Sequence, residues 1–445
     1  MEKHIVIIGA GPAGQEAALK AAKKGAKITL IEQNELGGVC LNCGCVPSKT
    51  WLFCAHEFAS LKEIAKCSTK EKELAHLSSS FDFSKIQERR TNVIARLKKG
   101  LEFLYRQAKV NLIKGQAKIK DGKTIVVNNQ EITFDALILA CGSKAFYPPA
   151  FEQFKDKLLD NTTIFNLEKL PKSITVLGGG AIGCEFACFF NALGVKVVLV
   201  EKLPVIALTM GQDISRAITT AFEKRGIEIK TGLGASALEI DGENKTVILE
   251  NGEKIASQEV LVALGRTTDL SNLNLEALDI AYDKKGIKVN PQTMQAKDNI
   301  YAVGDINGLS LLAHAASAQA DAALEHIFNQ KSSYDNNLIP SVLYTWPEAA
   351  SVGITKEKAA SALKIYKSFY LANARALSQK ETEGFVQILT DETTGQILGA
   401  QIVGAQAGEL IHIICLAIKN KMTFGDLEQM TFAHPTLAEI IKTAF

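Results

Sequence analysis

The chain has 445 residues, more than one hydrophobic core usually serves, so two to four domains are expected. With 47% hydrophobic and 22% charged residues it reads as a globular protein, and a net charge of +2 provides no general attraction to nucleic acid or anionic membrane. An apolar strand follows directly on His4, leaving no room for a signal peptide, and no apolar run approaches the roughly 20 residues that span a bilayer. A cytoplasmic chain with a small-molecule partner is the expectation.

The first element is a βαβ unit. "HIVIIGAGPAGQEAALKAAKKGAKITLIE" runs as a strand, a Gly9-x-Gly11-x-x-Gly14 turn, an alanine-rich helix and a second strand ending in Glu32. Gly9 permits the tight turn, Gly11 lets backbone N–H groups approach a pyrophosphate, and Gly14 lets the helix pack closely on the strand. Glu32 is placed to bind a ribose hydroxyl.

"GGVCLNCGCVPSKT" follows, with Cys40, Cys43 and Cys45 in six residues. Nine cysteines, odd in number and irregularly spaced, do not make a secreted disulfide framework, so thiols are the default. Cys184 and Cys188, together with Cys54, Cys67, Cys141 and Cys415, are expected as small buried residues. A zinc site would need a second ligand pair, which is missing, so no metal is expected. A disulfide needs Cα atoms about 4.4–6.8 Å apart. Helical positions i and i+3 are about 5 Å apart and i and i+5 about 8–9 Å, so regular geometry favours Cys40–Cys43. Cys40–Cys45 requires an irregular turn, which Gly37, Gly38 and Gly44 can supply, with Pro47 in the first turn of a helix carrying Lys49. Beside a nucleotide fold, a redox pair is the best physical reading.

Residues 55–110 have the periodicity of long amphipathic helices, and 114–133 the alternation of an antiparallel meander. The nucleotide device then returns in "SITVLGGGAIGCEFACFFNALGVKVVLVE", with Gly178, Gly180, Gly183 and a terminal Glu201. The first glycine and the acid are 23 positions apart in both copies. "FDALILACGS" and "SQEVLVALGRTTD" echo one another in the same way. Glu201 suits a free 2′-hydroxyl and so favours NAD over NADP, with Lys202 read as a solvated loop charge. A second meander is expected over 228–256. Asp305, at a glycine that ends an apolar strand, is placed to bind a polyol or ribose. A new α+β domain begins near Asp335. At its end, "HPTLAE" sets His434 just before Pro435, which suits the first turn of a helix carrying Glu439, and a carboxylate there can fix the imidazole tautomer and raise its basicity.

"GAGPAG", "GGVCLNCGCVPSK", "GGGAIGCEFA", "ALGRTTD", "YAVGD" with "LAHAA", "YTWPEAASVG" and "HPTLAE", in this order over essentially the whole chain, resemble the pyridine nucleotide-disulfide oxidoreductases, class I. Among these the resemblance is to the members that oxidise dihydrolipoamide with NAD⁺. The implied fold class is α/β, with two Rossmann-like domains of three ββα layers and a C-terminal α+β domain. The implied domains are an FAD domain (1–145), an NAD domain (146–267), a central domain completing the FAD site (268–334) and a dimerisation domain (335–445).

The resemblance also implies roles. Cys40 is the thiol that exchanges with substrate and Cys45 the thiol against the flavin, which shifts the pairing to Cys40–Cys45. Lys49 and Glu185 form an ion pair beside the flavin and the nicotinamide. Gly9, Gly11, Gly14, Glu32, Gly115, Ala117, Gly142, Asp305 and Ala313 hold FAD, while Gly178, Gly180, Gly183, Glu201 and Gly265 hold NAD. His434, fixed by Glu439, is the base, acting on the other subunit of a homodimer. The implied partner is dihydrolipoamide on a lipoyl domain of a 2-oxoacid dehydrogenase or glycine cleavage complex. Cys43 departs from the family pattern, where a non-cysteine residue is usual. Mercuric reductase would add a C-terminal cysteine pair, and glutathione reductase arginines after Glu201; neither is present. A flavin-bearing redox sensor is the alternative from another class.

Overall fold

A computed structural model describes residues 2–77, 81–268, 270, 273–359 and 362–444. The chain forms two compact units, one of residues 1–50, 85–146 and 265–336, the other of residues 51–84, 147–264 and 337–445.

In the first unit, strand β1 (His4–Ile8), helix α1 (Pro12–Lys23) and strand β2 (Lys27–Glu32) follow the first glycine fingerprint. β1 is apolar on both faces because it lies inside a parallel sheet, between β2 and the strand Ala136–Leu139. Asn111–Lys114 extends that sheet beyond β2, and Ile300–Ala302 and Gln295–Lys297 extend it on the other side. The predicted meander is a three-stranded antiparallel sheet of Ala117–Asp121, Thr124–Val127 and Gln130–Thr133. Its Ile119, Ile125 and Val127 close a core with Val6, Ile8 and Leu137 of the parallel sheet. α1 and the helix Ala313–Ile327 pack together, and both bury alanines, Ala17 and Ala316 among them. The cysteine segment forms helix α2 (Gly38–Cys43) and the start of helix α3 (Cys45–Ala65).

The second unit repeats the plan. Strand β3 (Ser173–Leu177), helix α4 (Ala181–Ala192) and strand β4 (Lys196–Glu201) build on the second fingerprint, and parallel partners Glu228–Thr231 and Glu259–Val262 flank them. The antiparallel sheet of Ala235–Asp241, Asn244–Leu249 and Lys254–Ser257 packs on this sheet through Leu238, Val247 and Leu249. The C-terminal part is a five-stranded antiparallel sheet in which Ile397–Val403 lies between Ala349–Gly353 and Phe385–Asp391. The helix Ala407–Lys419 buries Leu410, Ile411 and Ile414 against this sheet. No helix among the described residues is long and apolar enough to cross a membrane.

Two expectations are corrected. Cys54, Cys184 and Cys188 are buried, but Cys67 and Cys141 are exposed and Cys415 is half-buried. Cys67 follows the end of α3 in a turn, and Cys141 sits past the end of its strand beside a positive-φ glycine, with its thiol on the Ile8 carbonyl at 3.5 Å. Pro435 does not open a helix: the His434–Pro435 peptide is cis and the terminal helix begins only at Glu439. Asp269 of "ALGRTTD" lies outside the described residues.

Candidate active site

The two glycine fingerprints share one geometry. Gly9 and Gly178 have φ of 103° and 105°, in the region L side chains avoid. A Cβ on either would meet a carbonyl oxygen, of Ala140 or Ala263, at 2.3 Å. Behind the turn, a Cβ on Gly14 would meet the Gly9 oxygen at 1.8 Å, and a Cβ on Gly183 the Gly178 oxygen at the same distance. Gly11 and Gly180, the residues preceding α1 and α4, have nothing within 4 Å of a Cβ position. This leaves open space at two helix N-termini, where first-turn N–H groups have no intrahelical acceptor.

The terminal acids are placed alike. Glu32 accepts from the N–H of Ala10 at 2.7 Å and of Asn34 at 2.8 Å. Glu201 accepts from Gly179 at 2.6 Å and Leu203 at 2.7 Å. Each carboxylate oxygen has lone pairs left for a ribose hydroxyl. Open glycine turns followed by an oriented acid fit the pyrophosphate and ribose of a dinucleotide in both places. Lys202 is exposed and paired with Glu250 at 2.9 Å.

The remaining flavin candidates surround the first fold. Gly115 donates its N–H to the Glu32 carbonyl at 3.0 Å, and a Cβ there would collide with Asn128 at 2.5 Å. Ala117 opens the antiparallel sheet, Gly142 takes φ of 74° with open space around it, and Ala313 is the first residue of its helix. Asp305 lies in the turn Gly304–Asn307 and accepts from the Ser143 hydroxyl at 2.5 Å. Arg266 donates to the same hydroxyl at 2.7 Å and stands 3.6 Å from the Asp305 carboxylate. Ser143 and Arg266 were not singled out from the sequence, although they sit in the two motifs that echo one another. Gly265 belongs to the first unit and donates no side chain; its carbonyl accepts from Phe146 at 3.1 Å.

The three cysteines are separated by one backbone break. α2 ends at Cys43, and Gly44 takes φ of −145° and ψ of −117°, outside helical values. A Cβ on Gly44 would lie 2.9 Å from the Val39 carbonyl oxygen and 3.2 Å from the Cys40 Cα, so only glycine brings α3 this close to α2. Cys40 hydrogen-bonds Cys45 through their thiols, and this bond, followed by burial, holds the Cys40 thiol well above its ordinary range. Cys45 is exposed and Cys43 half-buried. Lys49, one turn further along α3, lowers the Cys40 value slightly.

Glu185, His434 and Glu439 belong to the second unit. Glu185 is buried in α4 and accepts from the N–H of Tyr344 at 3.2 Å. His434 Nδ1 lies 3.0 Å from Glu439 Oε1, while Glu439 Oε2 accepts from the N–H of Thr436 at 2.8 Å. The Thr436 amide first, then His434, holds the Glu439 carboxyl below its ordinary range. A proton on Nδ1 directed at the carboxylate leaves Nε2 of an exposed imidazole as the basic atom. The Thr436 N–H is a contributor that the sequence did not reveal.

Comparison with known proteins gives this geometry a lineage. The family model for pyridine nucleotide-disulphide oxidoreductase matches residues 3–320, and that for its dimerisation domain matches residues 339–445. The chain is 36% identical to a dihydrolipoyl dehydrogenase of Geobacillus stearothermophilus, over 100% of this chain and 96% of the relative. It is 35% identical to one of Chlamydia muridarum, over 98% and 94%. Among solved structures, LpdA of Mycobacterium tuberculosis superimposes with a TM-score of 0.90 at 26% identity, covering 99% of this chain and 98% of that one. The HOCl-induced flavoprotein disulfide reductase RclA of Escherichia coli does so with 0.88 at 25%, covering 99% of each. The chain belongs to the pyridine nucleotide-disulphide oxidoreductase family, enzymes that act on sulfur groups with FAD and NAD(H).

Proposed function

We infer that the chain is a homodimeric NAD-dependent dihydrolipoyl dehydrogenase whose disulfide forms between Cys40 and Cys45. The observation that carries this reading is the Cys40–Cys45 hydrogen bond across the Gly44 break, next to a dinucleotide fold. The lipoyl substrate comes from the names of relatives that match along their full length.

In this reading the partner subunit's His434 takes a proton on Nε2 from one thiol of dihydrolipoamide. The thiolate formed attacks Cys40 Sγ; the new S–S bond forms as the Cys40–Cys45 bond breaks, and the electron pair leaves on Cys45. The second substrate thiol then gives its proton to the departing Cys40 sulfur as its own sulfur attacks the mixed disulfide at the substrate sulfur, closing the lipoyl disulfide and returning Cys40 as a thiol. A hydrogen bond from protonated Cys40 to the Cys45 sulfur stabilises this product state, in keeping with the raised Cys40 value. Bound FAD would supply the two-electron relay from the dithiol to NAD⁺. Gly9, Gly11, Gly14, Glu32, Gly115, Ala117, Gly142, Asp305 and Ala313 would hold FAD, and Gly178, Gly180, Gly183, Glu201 and Gly265 would hold NAD. Lys49 and Glu185 would pair beside the reacting rings. The domain limits 1–145, 146–267, 268–334 and 335–445, a cytoplasmic location and service to a 2-oxoacid dehydrogenase or glycine cleavage complex belong to the same proposal.

One experiment tests pairing and activity together. Holoprotein reduced with one dithiol equivalent should show the long-wavelength absorbance of a thiolate beside an oxidised flavin. Cys45→Ser should abolish it and Cys43→Ser should retain it. The reverse pattern, or no dihydrolipoamide-dependent NADH formation by flavin-loaded protein, would sink the reading.

A further inference from the structure

Asp305 is held from two directions, by side chains at its carboxylate and by a side chain behind the turn that carries it. In front, Ser143 and Arg266 engage its carboxylate. Behind, a buried side chain grips the turn that carries it. Gln319, 0% exposed in the helix Ala313–Ile327, accepts through Oε1 from the Gly304 N–H at 2.8 Å and from Asn307 Nδ2 at 2.8 Å. These two donors bracket the Gly304–Asn307 turn that carries Asp305. Gly304 has φ of 79°, and a Cβ there would lie 3.2 Å from that of Ala316 and 3.5 Å from that of Ala13, so the turn lies close against two helices.

The amide's orientation is itself determined. Tyr334 donates its hydroxyl hydrogen to Asn336 Oδ1 at 2.9 Å, so its oxygen is an acceptor toward Gln319 Nε2 at 3.4 Å. The nitrogen of the carboxamide is thereby turned to Tyr334, and its oxygen to the turn. Asn307, 4% exposed, completes the network by donating to the Ala302 carbonyl at 2.9 Å.

We propose that Gln319 is a positioning residue for the flavin: through the Gly304–Asn307 turn it sets where the Asp305 carboxylate meets the ribityl hydroxyls, and Tyr334 sets the orientation of Gln319. This rests on the reading of Asp305 as the acid on the flavin's polyol chain. Gln319 touches no ligand and acts only through the turn. Loss of its oxygen leaves the Gly304 N–H buried without an acceptor, and the turn relaxes to find one.

The test uses flavin-loaded wild type, Gln319→Leu, Gln319→Glu and Tyr334→Phe, with FAD dissociation read by recovery of flavin fluorescence and apoprotein unfolding read in urea. Gln319→Leu should weaken FAD about tenfold, equivalent to about 1.4 kcal/mol. Gln319→Glu, whose neutral carboxyl keeps the acceptor and one donor, should return to within about threefold of wild type, and Tyr334→Phe should lose about threefold. A purely packing role would lower the urea midpoint of Gln319→Leu while its FAD dissociation constant stayed within twofold of wild type, and that result overturns the proposal. If Gln319→Leu does not fold, Tyr334→Phe decides, and unchanged FAD release there overturns it. Wild type that takes up no FAD would refute the reading of Asp305 itself, whereas normal FAD uptake by both wild type and Gln319→Leu refutes only the role of Gln319.

Discussion

Gly11 and Gly14 sit three residues apart, yet replacing each with alanine should have different consequences for folding. At Gly14 the added methyl would lie 1.8 Å from the Gly9 carbonyl oxygen, 3.0 Å from its carbon and 3.4 Å from Ile7 Cγ2. Real Cβ atoms do not approach within 3.0 Å, so α1 must lift off β1 by more than an ångström, against backbone that cannot rotate away. Overpacking costs typically 1–3 kcal/mol, and a backbone-on-backbone clash belongs at about 3 kcal/mol. At Gly11, φ of −72° and ψ of −173° suit any residue, and nothing lies within 4 Å of the new methyl. Folding should therefore change by less than about 1 kcal/mol, but the methyl occupies the space through which a pyrophosphate reaches the helix N-terminus. Urea unfolding of the apoproteins should show a midpoint lower by about 1 M for Gly14→Ala and little change for Gly11→Ala. FAD titration followed by flavin fluorescence should show loss of binding in both. FAD affinity within twofold of wild type for Gly11→Ala would refute the placement of the pyrophosphate, and an unshifted midpoint for Gly14→Ala would refute the packing argument.

Three other measurements test the second unit and the cysteines. Glu439 should titrate below 4.5, its ordinary value. Because the folded value is the lower one, its contribution to folding is complete above 4.5 and is lost as pH falls through the folded value. In His434→Ala an NMR titration should move only part of the way back toward 4.5, since the Thr436 amide remains the larger cause; a full return would contradict that ranking. Trp51 is 0% exposed, stacked 4.8 Å from Phe189 and edge-on to Phe165 at the same distance, with no partner for its indole N–H among the described residues. Trp51→Ala should cost about 3–5 kcal/mol in thermal or urea unfolding, and a cost below about 1 kcal/mol would show that this aromatic cluster does not support the fold. Burial pushes the Cys188 thiol up to about 12 and raises Cys184 as well, whereas Cys67 is exposed. Brief iodoacetamide treatment of native protein near neutral pH, read by peptide mass spectrometry, should label Cys67 and spare Cys184 and Cys188; labelling of either buried thiol first would contradict the packing of α4.

The two nucleotide folds could be read from the chain because their requirements are local. A positive φ at Gly9 and Gly178, a helix pressed onto a strand at Gly14 and Gly183, and an acid 23 positions on are constraints of adjacent elements, so they appear as letters at fixed spacing. The pair formed by His434 and Glu439 was legible for the same reason, five residues apart in one turn of chain. Residue spacing alone left the cysteines open, because a regular helix favours Cys40 with Cys43 and only the resemblance pointed to Cys45; the break at Gly44, whose missing side chain lets α3 approach α2, puts Cys45 against Cys40. Burial of Cys67 and Cys141 was misjudged because a thiol's environment depends on where its element ends and on what packs over it. The Ser143 hydroxyl meets Arg266 and Asp305 from more than a hundred residues away, and the hold of Gln319 on the turn behind Asp305 runs from a helix back to a turn 12 to 15 residues earlier. Hydrogen bonds of that kind leave no periodicity in the chain, so tertiary structure alone decides them.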